Sequence, residues 1–103
     1  MPVHVTEAEA VVLGPLWRLG PLTPARLMQE VKLVQPWADT TIKTLLARLA
    51  RKKAVAAERM QGAVRYRALI ARETYVEDEV RALAERLFGG DEGALLAWLK
   101  ARV

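Results

Sequence analysis

Apolar residues recur along this chain at two spacings, and the switches between them mark out its elements. Between residues 37 and 53, Ile42, Leu45, Leu46 and Leu49 fall at i, i+3, i+4 and i+7, on one face of a helix. Upstream, Thr6 and Glu9 have the spacing of a capping box ahead of an apolar-rich run to Leu19, which predicts a first helix. Gly14-Pro15 interrupts that run. Proline removes a backbone donor and crowds the carbonyl of Val11, so a kink or an early break is expected. Gly20-Pro21-Leu22 ends the element. Thr23 as cap and Pro24 at the first position start a second helix to about Leu33, with Leu27, Met28 and Val31 inward. Pro36 closes it. After the third helix come two short strand candidates, Ala54–Arg59 and Val64–Leu69, around Met60-Gln61-Gly62-Ala63, a hairpin signal with glycine. From about Arg72 the helical spacing returns. Val76, Val80, Leu83 and Leu87 form a stripe that Tyr75, Ala84 and Phe88 widen. Gly89-Gly90 breaks this helix, and Asp91 is placed to cap another that carries Leu95, Leu96, Trp98 and Leu99.

This order predicts a mainly α fold with a small β-hairpin wing. A winged helix-turn-helix over residues 1–70 would be followed by a helical region over 71–103. The last two helices are too apolar to bury themselves alone in so small a domain. They either fold back on the first part or pair with a second copy, and pairing is the favoured reading. The predicted dimerisation positions are Tyr75, Val76, Val80, Leu83, Leu87, Phe88, Leu95, Leu96, Trp98 and Leu99.

The outward face of the third helix changes the picture from fold to chemistry. It carries Thr40, Thr41, Lys43, Thr44, Ala47, Arg48 and Arg51, with no carboxylate after Asp39. A solvated helix face normally interleaves both signs. Small residues permit close approach to another surface. Arginine and lysine reach phosphates or the guanine acceptors, and threonine bonds bases or phosphates or touches the thymine methyl. The competing reading is a solvated basic helix. The hairpin adds Arg59, Arg65 and Arg67, of which the last two share a strand face. These are phosphate-contact candidates, or else charges that protect a strand edge from pairing. Arg51, Lys52 and Lys53 are expected to bind phosphate as well. The charge is unevenly placed: residues 1–70 hold 11 Lys/Arg against 5 Asp/Glu, while residues 71–103 hold 5 against 7. The positive field therefore belongs to the first two-thirds of the chain.

Composition bounds the alternatives. Hydrophobic residues make up 52% of the 103, enough for a core. No apolar run approaches the roughly 18–20 residues that span a bilayer. The segment Met1–Thr6 lacks a basic region before an apolar stretch, so neither a secretion signal nor a membrane partner is expected. The absence of cysteine excludes disulfides and thiolate metal sites and fits a cytoplasmic protein. His4 is the lone histidine, and Glu73, Glu77, Asp78 and Glu79 sit beside Arg72 and Arg81 as a solvated face. Without a nucleophile arrangement, phosphate loop or metal-ligand spacing, an enzyme is not expected, and no cofactor or metal is predicted.

With these residues in place, the chain resembles the BlaI/MecI-type penicillinase repressor family. The likeness runs through Thr6-Glu7-Ala8-Glu9 and Gly20-Pro21-Leu22-Thr23, then Trp37 with Thr41-Ile42-Lys43-Thr44-Leu45-Leu46, Arg48-Leu49 and Arg51-Lys52-Lys53. It continues at Tyr66, at Arg72-Glu73 with Tyr75, and at Arg86-Leu87-Phe88-Gly89-Gly90. The segment from Trp37 to Arg48 is the specific part. The resemblance implies a homodimeric winged-helix repressor of transcription on a palindromic DNA operator. Its recognition helix would span about 39–53, the wing at 59–67 would lie on the DNA backbone, and the C-terminal helices would dimerise. The alternative is a winged-helix protein–protein module with only non-specific DNA affinity. The family's DNA-contacting places fall on Thr40, Thr41, Thr44 and Arg48. The family often has lysine where this chain has Thr40, which leaves Thr40 and Lys43 as alternatives for that contact. Trp37 matches the family tryptophan, with packing between helices or a DNA backbone contact as its role.

Four departures from the family pattern bear on the structure. Gly14-Pro15 is unusual in helix 1. Ala38 replaces a serine cap, which shifts that role to Asp39 or Thr40. Ala54 replaces the glycine that ends the recognition helix, where a left-handed cap is expected. The chain ends at Val103, about one helix before the family's usual length, so a smaller dimer interface is expected. The resemblance also implies a regulatory protease acting on the C-terminal region. The matching bond is Ala97–Trp98, where the family has Asn–Phe. Copper-responsive relatives sense metal through cysteines that this chain lacks.

Overall fold

Seven elements follow one another in a computed structural model that describes residues 3–103. They are α1 (Glu7–Leu19), α2 (Pro24–Val34), α3 (Asp39–Arg51), β1 (Val55–Met60), β2 (Ala63–Ala68), α4 (Arg72–Phe88) and α5 (Glu92–Lys100). This is the winged helix-turn-helix order with a helical pair after it, as the hydrophobic spacing predicts. The reading of the N-terminus rests partly on Met1 and Pro2, which lie outside the described residues. The chain divides into two compact units, one ending at Ala71 and one running from Arg72 to Val103.

The first unit is built on α1. The Thr6 hydroxyl accepts from the Glu9 amide at 3.2 Å and the Glu9 carboxylate accepts from the Thr6 amide at 2.9 Å, closing the capping box. The expected break at Gly14-Pro15 does not occur, and α1 runs unbroken to Leu19. Gly14 has no Cβ to collide with the following proline ring, so it can stay helical. The Pro15 ring is itself buried, which offsets part of the lost hydrogen bond. Val12, Leu13 and Leu16 of α1 meet a core completed by Leu27 and Val31 of α2 and by Ile42, Leu46 and Leu49 of α3. Thr23 caps α2, and Pro24 occupies its first turn.

Two expectations about the ends of α3 need correction. Neither Asp39 nor Thr40 caps it: Ala38 is the cap residue, with no side-chain hydrogen bond. The Asp39 carboxylate turns to Lys32 at the end of α2 instead. At the other end the left-handed residue is Lys53 (φ 61), not Ala54. The Lys53 amide donates to the Ala50 carbonyl and the Ala54 amide to that of Leu49, a Schellman arrangement. Ala54 and Leu49 are both fully buried. Alanine is therefore well placed here, because the strained conformation falls one residue earlier.

The hairpin pairs Val55 with Ala68 through to Met60 with Ala63, one residue later on β1 and one earlier on β2 than predicted. Its two-residue turn, Gln61-Gly62, has positive φ at both positions (52 and 78), a type I′ turn that matches the twist of the strands. Leu22 bridges to Tyr66 through two backbone hydrogen bonds of 3.1 and 2.7 Å, tying β2 to the connection between α1 and α2. The Trp17 indole donates to the Ile70 carbonyl at 2.9 Å, which fixes the chain leaving β2 onto α1.

In the second unit, α4 and α5 pack together across Gly89 and Gly90, both at positive φ. The Asp91 carboxylate caps α5 by accepting from the Ala94 amide at 3.0 Å. Ala84 and Leu95 are buried, and Tyr75, Val76, Leu83 and Phe88 are half-buried. Val80, Leu87, Leu96, Trp98 and Leu99 remain exposed, Leu87 at 65%. The guanidinium of Arg102 stacks over the Trp98 ring at 3.8 Å, a cation–π contact.

Candidate nucleic-acid interface

Four buried residues, Ile42, Leu45, Leu46 and Leu49, fix which side of α3 faces outward. Helical geometry then leaves Thr40, Thr41, Lys43, Thr44, Ala47, Arg48 and Arg51 in solvent, and all seven are exposed. Thr40, Thr41, Thr44 and Arg48, with Leu45 at the base, line a shallow surface concavity. The Thr44 hydroxyl donates to the Thr40 carbonyl at 2.9 Å. Its hydrogen is thereby committed to the helix, which leaves its methyl group and oxygen lone pairs for a ligand.

The one acid beside this face is neutralised. A hydrogen bond and the charge of Lys32, with a smaller contribution from Lys43, hold the Asp39 carboxyl below the ordinary carboxylate range. The face therefore presents Lys43, Arg48 and Arg51 with no opposing charge to repel an anion.

The wing arginines differ from one another. Register places Glu58 opposite Arg65 and diagonal to Arg67. Arg67 closes a two-point pair with Glu58, at 2.7 and 3.3 Å, which raises its own pKa and lowers that of Glu58. Arg59 and Arg65 make long hydrogen bonds of 3.4 Å, to the carbonyls of Gly62 and Met60. Arg59 and Arg65 thus retain free charge at the turn, whereas much of Arg67's is already used.

Lys52 departs from its expected role as a phosphate contact. Its ammonium donates to the Glu9 carboxylate at 2.7 Å and to the His4 carbonyl at 2.9 Å. Glu9 is 1% exposed, and a carboxylate so buried requires a cation. Burial alone would raise its pKa. Hydrogen bonds from Lys52 and Thr6, with the Lys52 charge, bring it below the ordinary value. The pair was missed in the sequence, although a signal existed: Glu9 lies in the apolar stripe of Val5, Val12, Leu13 and Leu16.

Among the described residues no group of three or more His, Cys, Asp or Glu could hold a metal ion. No helix among the described residues is long and apolar enough to cross a membrane.

Known proteins share the fold of this chain. The chain is 30% identical over 96 residues, 93% of its length, to a 16.5 kDa protein from the ptsI 3′ region of Latilactobacillus sakei, and spans 66% of that relative. The solution structure of the DNA-binding domain of the repressor BlaI superposes with a TM-score of 0.62 at 23% identity, covering 71% of this chain and 89% of that one. The monomeric form of Bacillus licheniformis BlaI, solved with the blaP half-operator, gives 0.63 at 24% identity over 70% and 88%. A MarR family protein from Bacillus stearothermophilus gives 0.55 at 26% identity over 94% and 69%. These likenesses establish the winged-helix fold, and a model of the penicillinase repressor matches residues 5–102. The chain belongs to the penicillinase repressor family.

Proposed function

We propose that this protein is a sequence-specific DNA-binding repressor of transcription that acts as a homodimer on a palindromic operator. Membership of a repressor family agrees with the expectation of a protein that is not an enzyme. The observation that carries the reading is the outward face of α3: seven exposed positions, small or cationic, with the nearby Asp39 neutralised by Lys32. Such a face fits a major groove. BlaI, of the same fold, binds the blaP half-operator, which supports DNA as the partner.

In this reading Thr40, Thr41, Lys43, Thr44 and Arg48 face the bases. Arg51, Arg59 and Arg65 meet phosphates, and Arg67 contributes less because Glu58 holds it. The unit ending at Ala71 binds DNA, and the unit from Arg72 to Val103 dimerises through its exposed apolar side. Two recognition helices would then read half-sites about one helical turn apart, or a multiple of it. Repression follows from occlusion of polymerase.

The test is fluorescence anisotropy with DNA from upstream of the protein's own gene and a scrambled control, at two salt concentrations. Preference for the first by about a thousandfold is expected. Arg48→Ala should cost about 1–3 kcal/mol on the operator and much less on the control. Equal, salt-fragile binding to both would point instead to a basic winged helix that engages a protein partner.

A further inference from the structure

The apolar stripe fixes which side of a helix faces outward, but apolar contacts are non-directional, so they set the last degrees of its rotation less sharply than hydrogen bonds do. Rotation matters on α3, because it decides where Thr44 and Arg48 aim. Hydrogen-bonded ion pairs are directional, and α3 has one at each end. Lys32 of α2 holds Asp39 in its first turn, and Glu9 of α1 holds Lys52 immediately after its last residue. The two are not equivalent. Lys32 and Asp39 are both about half exposed, with side-chain exposures of 44% and 56%, and such pairs contribute little. Glu9 is buried, with its partner Lys52 one-third exposed.

We infer that Glu9 and Lys52 are positioning residues for the recognition helix, and that Lys52 does not itself contact DNA. This rests on the repressor reading above. The Lys52 amide donates to the Arg48 carbonyl at 3.0 Å, so the anchored residue is bonded directly to the backbone of the proposed base-reading arginine. The Lys52 ammonium spans two segments at once, the Glu9 carboxylate and the His4 carbonyl. Glu9 is fixed in turn by the Thr6 amide at 2.9 Å. A chain of hydrogen bonds thus runs from the N-terminal extended segment, through the first turn of α1, to the end of α3. Lys52, alone in the basic run Arg51-Lys52-Lys53, is drawn inward, whereas its two neighbours are exposed.

The informative variant is the double change Glu9→Gln with Lys52→Met. It removes both charges together, leaves no unpaired buried ion, and keeps a side-chain oxygen for the Thr6 amide. Its fold is checked by circular dichroism and thermal melting, and its affinity for operator and scrambled DNA is measured across a salt series. We expect the ratio of the two affinities to fall about tenfold, the size of one mismatched contact. The slope of log affinity against log salt should stay at the unmodified value, because no phosphate contact is lost. Lys52→Arg, which keeps charge and donors, should retain the ratio. A slope shallower by about one contact would place Lys52 on a phosphate and overturn the assignment. An unchanged ratio would reduce the pair to a support of the fold and overturn it equally. Should the double variant fail to fold, Glu9→Gln alone gives the answer: a lowered ratio at constant slope supports the assignment, and an unchanged ratio ends it. Absence of preference in the unmodified chain would defeat the repressor reading itself, which is seen before any variant is made.

Discussion

Lys53 holds a left-handed backbone conformation that brings Cβ against the following carbonyl. A glycine there avoids that clash, so Lys53→Gly should stabilise the domain by about 1 kcal/mol in urea denaturation. If Lys53 also meets a phosphate, the same variant will show a shallower salt slope on DNA, and stability and binding will move in opposite directions. Glu9 illustrates a different residue-scale effect. Its folded carboxyl titrates below its ordinary value of 4.5, so the unfolded chain binds that proton more tightly. The stability it confers is present in full above about pH 5 and is lost as pH falls through the lower folded value. Asp39 and Glu58 shift in the same direction but are solvated, so Glu9 should dominate. Urea midpoints measured from pH 7 to pH 3 should decline below pH 5, and Glu9→Gln should flatten part of that decline. An acid profile indifferent to this substitution would mean that the Glu9–Lys52 pair adds nothing to folding.

At the scale of elements, what repeats was legible in the sequence and what depends on a single dihedral was not. The α3 stripe of Ile42, Leu45, Leu46 and Leu49 announced both the helix and its buried face, because a four-point 3.6-residue period leaves little choice. The outward candidates followed by geometry, and all of them are exposed. The hairpin was legible from Gly62, yet its limits slipped by one residue because Ala54 was absorbed into the stop of α3. Pro15 misled for a related reason: the penalty it carries was visible, but the relief from Gly14 and from burying the ring needed the packed neighbours. Pairings between distant segments were the least legible. Nothing local in Lys52 distinguishes it from Arg51 or Lys53, and Glu58 and Arg67 meet only once the register of the wing is fixed.

For the whole molecule, charge is sorted along the chain, and the C-terminal unit combines few positive charges with apolar side chains left in solvent. The excess of Lys/Arg lies before residue 71, while Leu87, Leu96, Trp98, Leu99 and Val80 leave apolar surface exposed on the α4–α5 unit. Apolar surface that is contiguous and exposed ordinarily marks an interface. In the proposed dimer, the first recognition helix to dock holds the second near its half-site, so binding of the second becomes effectively intramolecular. Affinity for the full operator should then exceed that for a half-site by about 100-fold or more, without any new protein–DNA contact. Leu87→Glu probes this, since a side chain 65% exposed can be made charged without unfolding its own helix. Sedimentation velocity across micromolar concentrations should show dimers for the unmodified chain and monomers for the variant. Anisotropy should show the variant binding half-sites normally while losing the roughly 100-fold advantage on the full operator. A chain that stays monomeric at every concentration and binds both DNAs alike would remove the dimer from the mechanism, leaving each winged helix to act by its own contacts alone.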